Sequence, residues 1–255
     1  DTRNCVAVRV VDSAGRPMPQ TRIAVDRPGG ALHLVTGADG IASFYPRYDH
    51  VGSRSRISIA SEGQSISRVV QLRDYGEQTV TLAVPGRSRS VGALDLVLVM
   101  DTTGSMRDEI SYLQAELNGI ITRLKRDAGN LDVRVGLVFY RDQGDDYVTR
   151  SFPLSRDMGG VQSTLDRQDA DGGGDMPEAV DRALIAADDM QWRPEAAKAV
   201  LLISHAPPHR DAFGATLDAV AHLREQGVRI VPIAASGVED SAQYVMRAMA
   251  ALTGG

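Results

Sequence analysis

Asp101, Thr103 and Ser105 stand at alternate positions directly after an apolar run, within residues 94–105, LDLVLVMDTTGS. The run has the composition of a buried strand, and a helix pattern begins at once on its far side. A carboxylate and two hydroxyls are thereby set on a loop at the carboxyl end of a strand, where open α/β sheets place their ligands. One anionic and two neutral oxygens suit a hard divalent cation such as Mg²⁺, which keeps part of its water shell and takes a further ligand from a partner. The spacing points to a metal-dependent binding face rather than a catalytic pocket. Ser105 also has a local reading, because Ser105-x-x-Asp108 fits a helix capping box.

The elements that must position these residues alternate in type from residue 93 onward. Residues 94–100 read as a strand, and 106–127 as a helix with Ile110, Leu113, Leu117, Ile120, Ile121 and Leu124 on one face. Residues 132–140 read as a second strand, with 147–154 as its antiparallel hairpin partner. A helix over 177–190, with proline in its first turn, precedes a strand at 199–204. A helix at 215–226, a strand at 228–234 and a helix at 241–252 complete the series. Strands alternating with helices predict an α/β fold, a doubly wound and mostly parallel sheet with helices on both faces.

The first 86 residues differ. Short β-rich runs at 6–12, 21–26, 41–45, 56–60, 66–72 and 78–84 are separated by turn clusters at 13–19, 28–30, 37–40 and 61–64. That spacing predicts a small antiparallel sandwich. Residues 85–90, PGRSRS, have a linker's composition. The expected organisation is therefore a sandwich over 1–86, a linker over 87–92 and an α/β domain over 93–255.

Composition narrows the function classes. The chain has 255 residues, 24% of them charged, a net charge of −5 and no basic block, which argues against nucleic acid as a partner. No apolar run approaches the ~18 residues that a membrane span needs. Cys5 is the only cysteine, so neither an internal disulfide nor a thiolate cluster can form. Lys125 and Lys198 are the only lysines among abundant arginines, a composition of GC-rich bacterial genomes. The chain opens on Asp1, which places any export segment ahead of this numbering.

Enzyme readings find little support. The sequence has no G-x-S-x-G elbow, no phosphate loop ending in Gly-Lys-[Ser/Thr] and no H-E-x-x-H. Ser204 and His205 are neighbours, so their side chains point to opposite faces of a strand. Asp101 and Asp175 can be imagined holding a metal that activates water, but no residue offers itself as the general base.

The triplet Asp101-x-Thr103-x-Ser105 after a hydrophobic strand resembles the first motif of the von Willebrand factor A (vWA) domain, its metal-ion-dependent adhesion site. GLVFYRDQGDDYVTR (136–150), DGGGDMPEAVDRAL (171–184), WRPEAAKAVLLI (192–203) and APPH (206–209) follow in the order of a bacterial branch of that family. The resemblance runs from about residue 91 to the end. It implies that Asp101, Thr103 and Ser105 contribute oxygens to Mg²⁺, with Mn²⁺ or Ca²⁺ as alternatives. Asp175 would stand where many members have a threonine ligand. The ion's shell would be completed by an Asp or Glu carboxylate from a protein partner. His205 departs from the pattern, since it occupies the place of the family's last site aspartate. An imidazole suits Zn²⁺ better than Mg²⁺, so three outcomes stand open: weakened Mg²⁺ binding, a switch of metal, or an empty site. His205 is also placed to act as a hydrogen-bonding partner behind the direct ligands.

Two further expectations follow from resemblance. Residues 10–17, in the pattern V-x-D-x-x-G-x-P, with TGADGIASF at 36–44, are similar to carboxypeptidase-regulatory-like and bacterial Ig-like sandwich modules, in which the Asp-Gly turn opens a hairpin. Such modules serve as surface spacers, which implies an extracytoplasmic setting. The ending ALTGG (251–255) is similar to the point where family members continue into one more strand and a last helix. Together these imply a metal-dependent adhesion module. The alternatives are a metal-free scaffold, or an accessory subunit of an intracellular ATPase of the chelatase kind.

Overall fold

The computed structural model describes residues 4–61, 64–127, 131–174 and 176–255. Seven strands come first: β1 (Asn4–Val11), β2 (Arg22–Arg27), β3 (Gly30–Val35), β4 (Ile41–Phe44), β5 (Arg54–Ser61), β6 (Gln64–Gln71) and β7 (Gly76–Ala83). They form two sheets, ordered β4-β1-β7 and β3-β2-β5-β6. Alternation drives the packing. Val6, Val8 and Val10 on β1 are fully buried and face Ile23, Val25, Ile57 and Ile59 from the other sheet. Burying each such side chain contributes about 1.5–3 kcal/mol.

The sandwich departs from expectation in three ways. It contains β3, whose apolar alternation is hidden between glycine-rich turns. It is mixed rather than antiparallel, because β1 pairs with β7 in parallel. The Asp39-Gly40 turn opens no hairpin: β3 pairs with β2 and β4 with β1, so the turn carries the chain from one sheet to the other. Gly40 takes a φ of 71°, and a Cβ there would lie 2.7 Å from the Val10 carbonyl oxygen, so the crossing needs glycine.

The second part contains β8 (Ala93–Asp101), a 3₁₀ turn (Gly104–Met106), α1 (Arg107–Asp127), β9 (Asp132–Tyr140), β10 (Thr149–Ser155), α2 (Met158–Asp166), α3 (Val180–Asp188), β11 (Ala197–Ser204), α4 (Phe213–Glu225), β12 (Val228–Ala234) and α5 (Asp240–Thr253). The sheet is mixed, ordered β10-β9-β8-β11-β12, parallel except for β10. One apolar layer joins it to α1 and α2 through Ile110, Leu117, Ile121, Val161 and Leu165. The other joins it to α3, α4 and α5 through Ala183, Leu184, Val220, Leu223 and Met249. Helix α2 was not expected, and α3 starts three residues later than its pattern suggested. Pro177 follows a cis peptide bond and lies ahead of the helix rather than in its first turn.

Strand β8 is the centre of the sheet. The chain passes from β8 to β9 on one side and later returns to β11 on the other, so the strand order reverses between β8 and β11. The crevice outside their carboxyl ends is where this architecture binds ligands. At the opposite end, buried Asp95 ties three segments together. It accepts from Arg134 Nε at 2.9 Å, from Arg193 Nε at 2.9 Å and from the Arg193 backbone at 2.8 Å.

The sandwich rests on α4 and α5. Arg224 of α4 donates to both carboxylate oxygens of Asp49, at 2.7 and 3.1 Å, and to the Ser43 carbonyl at 2.7 Å. The Tyr45 hydroxyl donates to the Ala251 carbonyl at 2.9 Å, and Tyr45 belongs to the same apolar cluster as α3, α4 and α5. The connecting segment is held as well: the Ser88 backbone donates to Asp12 at 3.0 Å. Among the described residues, no helix is long and apolar enough to cross a membrane.

Candidate metal site at the carboxyl end of the sheet

Asp101 is the last residue of β8 and is fully buried. The turn after it is fixed from three sides. Thr102 donates from its backbone and its hydroxyl to the Tyr140 carbonyl, both at 2.9 Å. The Thr102 carbonyl accepts from the Asp171 backbone at 3.1 Å, and the Gly104 backbone donates to the Gly172 carbonyl at 3.0 Å. The glycine-rich loop after α2 is thereby pinned to the turn after β8.

Inside this frame Asp101 Oδ1 accepts from the Thr103 backbone at 3.0 Å and from the Thr103 hydroxyl at 2.7 Å. Ser105 Oγ lies 3.4 Å from Thr103 Oγ1. His205, the first residue after β11, fits between the two ends of the motif. Its Nε2 is 3.0 Å from Ser105 Oγ and its Nδ1 is 3.0 Å from Asp101 Oδ2. The second contact is not an in-line hydrogen bond, and both of its atoms are buried without such a partner. Proximity to the Asp101 carboxylate raises the His205 pKa above the ordinary imidazole value, against the opposing effect of burial.

The capping-box reading of Ser105 is not realised. The residue capping the 3₁₀ turn is Thr103, without a side-chain cap bond, and the Ser105 hydroxyl is at the imidazole. Carboxylate, imidazole and hydroxyl follow one another here as in a hydrolytic triad. Such triads need the Asp–His hydrogen bond to fix the tautomer, and the off-line contact at Asp101 does not supply it.

The loop that roofs the site depends on glycine. Gly172 and Gly173 take φ values of 74° and 66°. A Cβ on Gly173 would lie 2.8 Å from Thr103 Cβ, closer than side chains pack. Asp145 holds this loop by accepting from the Gly173 backbone at 3.0 Å and from the Asp142 backbone at 3.1 Å. Asp175 lies outside the described residues. Of the expected residues, Asp101, Thr103, Ser105 and His205 converge. His209 stands apart from them as an ordinary loop histidine and pairs with Asp142 at 2.6 Å. His222 is exposed, 3.4 Å from Asp188 on α3, and Trp192 Nε1 donates to the Ala187 carbonyl at 3.0 Å, as a packing residue does.

Sequence reasoning missed Glu178. It is 2% exposed and lines the same open cleft, of about 280 Å³, as Thr103, Ser105, Gly173 and His205. Its signal was its place beside the glycine-rich run in DGGGDMPE, where it reads as an ordinary acid of a helix's first turn.

The cluster holds a buried carboxylate oxygen with no in-line hydrogen-bond partner, Asp101 Oδ2, and the neutral oxygens of Thr103 and Ser105 beside it. Its charge is thin. Among the described residues, no three His, Cys, Asp or Glu side chains gather to hold a metal ion.

This fold and motif define a family. The model of the von Willebrand factor type A domain matches residues 95–253, and the chain belongs to that family. Domains of this kind are in general interaction modules rather than enzymes. Among curated proteins, the chain is 27% identical over 144 residues to the alpha-protein kinase vwkA of Dictyostelium discoideum, which covers 56% of this chain and 23% of that protein. It thus spans less than a quarter of that relative's length. Among solved structures, the pilus adhesin SpaC of Lactobacillus rhamnosus GG in its open conformation matches 77% of this chain and 28% of its own, at 13% identity and a TM-score of 0.48. The BatB protein of Bacteroides thetaiotaomicron matches 56% of this chain and 65% of its own, at 16% identity and a TM-score of 0.40.

Proposed function

We propose that this vWA domain is a protein-binding module that engages its partner through a divalent cation at the carboxyl ends of β8 and β11. Asp101, Thr103 and Ser105 would hold the ion, with Asp175 and His205 completing the protein's share of the donors. Mg²⁺ is the ion that the oxygens alone suit, with Mn²⁺ and Ca²⁺ as alternatives. Because the two hydroxyls bring no charge, the ion stays electrophilic and draws an Asp or Glu carboxylate from the partner. The observation that carries this reading is Asp101 Oδ2, fully buried and without an in-line hydrogen-bond partner, at the reversal point of the strand order. An extracytoplasmic bacterial setting, with the β-rich part as the shoulder on which the module is presented, is supported by analogy of fold.

An array of peptides bearing exposed Asp or Glu side chains tests the proposal. Protein loaded with cation should bind acidic peptides, and chelation or Asp101→Ala should abolish the binding. Binding indifferent to both treatments would overturn the metal-dependent reading and favour a scaffold that works through ordinary contacts.

A further inference from the structure

Three glycines follow one another along the cleft that opens onto Ser105 and His205, and the fold accounts for only two of them. Gly172 and Gly173 have left-handed backbones. Side chains there would meet Asp145 Oδ1 at 2.6 Å and Thr103 Cβ at 2.8 Å, so both positions are closed to anything larger. Gly174 is different. Its φ is not positive, and a Cβ there would meet nothing within 4 Å among the described residues. Neither the backbone nor the packing demands glycine at that place. What its lack of a side chain preserves is room, because Gly174 lines the open cleft together with Thr103, Ser105, Glu178 and His205.

The cleft holds more than a carboxylate needs. Its volume is about 280 Å³, whereas a carboxylate takes the room of about two waters, roughly 60 Å³. The remainder suits the rest of the side chain and the main chain that carries it. The lining is also divided in chemistry. His205 is 5% exposed and its Nδ1 lacks an in-line partner, as does Asp101 Oδ2, 3.0 Å behind it. Met176, 39% exposed, is the one large apolar side chain on the lining. Methionine is unbranched and polarisable and fits apolar groups of different shapes, and it is enriched at protein interfaces.

We infer that the partner presents its Asp or Glu on an extended segment whose main chain passes over Gly174 and whose residue beside the acid is apolar and packs on Met176. The inference rests on the partner-carboxylate reading proposed above and adds a sequence preference to it. Gly174 admits the partner's main chain at close range, as glycine does where a second backbone approaches. Met176 reads the flanking side chain, and its adaptability makes the preference one for apolar character rather than for a single residue. The cation itself is held without either of them.

The test measures binding of two fluorescent peptides to the whole chain loaded with Mg²⁺, by anisotropy. One peptide carries a central Asp between leucines, the other the same Asp between serines. Wild type should bind the leucine peptide about tenfold more tightly or better, the discrimination that one or two buried apolar groups give. Met176→Ser should lose that preference, and Met176→Leu should keep it. Gly174→Val should weaken both peptides by about tenfold or more through a clash with their main chain. It should nonetheless unfold within about 2 °C of the wild type, as an exposed substitution does. Calorimetric titration with Mg²⁺ should give all three variants the affinity of the wild type. Equal binding of the two peptides by the wild type, a preference that survives Met176→Ser, or full peptide affinity in Gly174→Val would overturn the inference and leave the cation reading standing. Loss of Mg²⁺ binding or of the fold in Gly174→Val would do the same, by showing that the glycine serves the loop itself. Binding of neither peptide by the loaded wild type would overturn both.

Discussion

Replacing Asp49 by alanine should destabilise the whole chain, although Asp49 lies in the sandwich and far in sequence from the helices it contacts. Asp49 is 3% exposed and Arg224 is 6% exposed. The carboxylate accepts two bonds from Arg224 and a third from the Tyr45 backbone at 2.7 Å. Removing it leaves a buried guanidinium with only the Ser43 carbonyl as a close partner, and the Tyr45 N–H with none. Breaking one side of a buried ion pair costs about 3–5 kcal/mol, and an orphaned buried N–H adds about 1–3 kcal/mol. Relaxation of the surface and entry of water offset part of this, so about 4 kcal/mol is expected. For a chain of this size, a Tm lower by roughly 8–16 °C follows. Urea and thermal unfolding, followed both by far-ultraviolet circular dichroism and by Trp192 fluorescence, measure it. Wild type should unfold with the two probes coincident. In Asp49→Ala the two should separate, because the junction no longer couples the sandwich to α4 and α5. A loss below about 1 kcal/mol, the worth of an exposed pair, would refute the reading of Asp49 and Arg224 as a buried pair that ties the sandwich to α4.

Three further outcomes follow. Gly173→Ala forces a side chain into a left-handed conformation and against Thr103, so it should cost about 2–4 kcal/mol and weaken cation binding; a variant with wild-type affinity and stability would show that the loop does not roof the site. Burial alone would raise the pKa of Asp95, but its bonds from Arg134 and Arg193 outweigh this and lower it. The stability it contributes is therefore complete above its unfolded value of about 4 and is lost as pH falls below that. Urea midpoints measured against pH should show an acid limb that flattens in Asp95→Asn, and parallel curves would contradict it. Ser105 should resist fluorophosphonate labelling, since the imidazole beside it lacks the in-line aspartate of a hydrolytic triad; stoichiometric labelling lost in Ser105→Ala would reopen an enzymatic reading.

Much of the α/β part was legible because its strands read as continuous apolar runs, β8 and β9 being buried on both faces. Residues 132–140 and 228–234 coincide with β9 and β12 to the residue. Helix α2 was invisible because MGGVQSTLD offers two glycines and only Val161 and Leu165 as fully buried anchors. Strand β3 was lost between Gly29-Gly30 and the turn at 37–40, where turn chemistry on both sides masked a short alternation. The parallel pairing of β1 with β7 joins the two ends of the sandwich, and local pattern carries no information about so distant a partner. At the site, the spacing of Asp101, Thr103 and Ser105 announced itself because all three lie on one turn. The double contact of His205 depends on β11 docking beside β8, which is a tertiary fact. Glu178 was passed over because an acid ahead of a helix is ordinary until its burial is seen.

The most direct measurement of the central claim is calorimetric titration of metal-stripped protein with divalent cations, run beside Asp101→Ala. The wild type should show one saturable site that disappears in the variant, together with a higher Tm for the loaded wild type alone. Absence of saturable binding, or equal binding by both proteins, would contradict it.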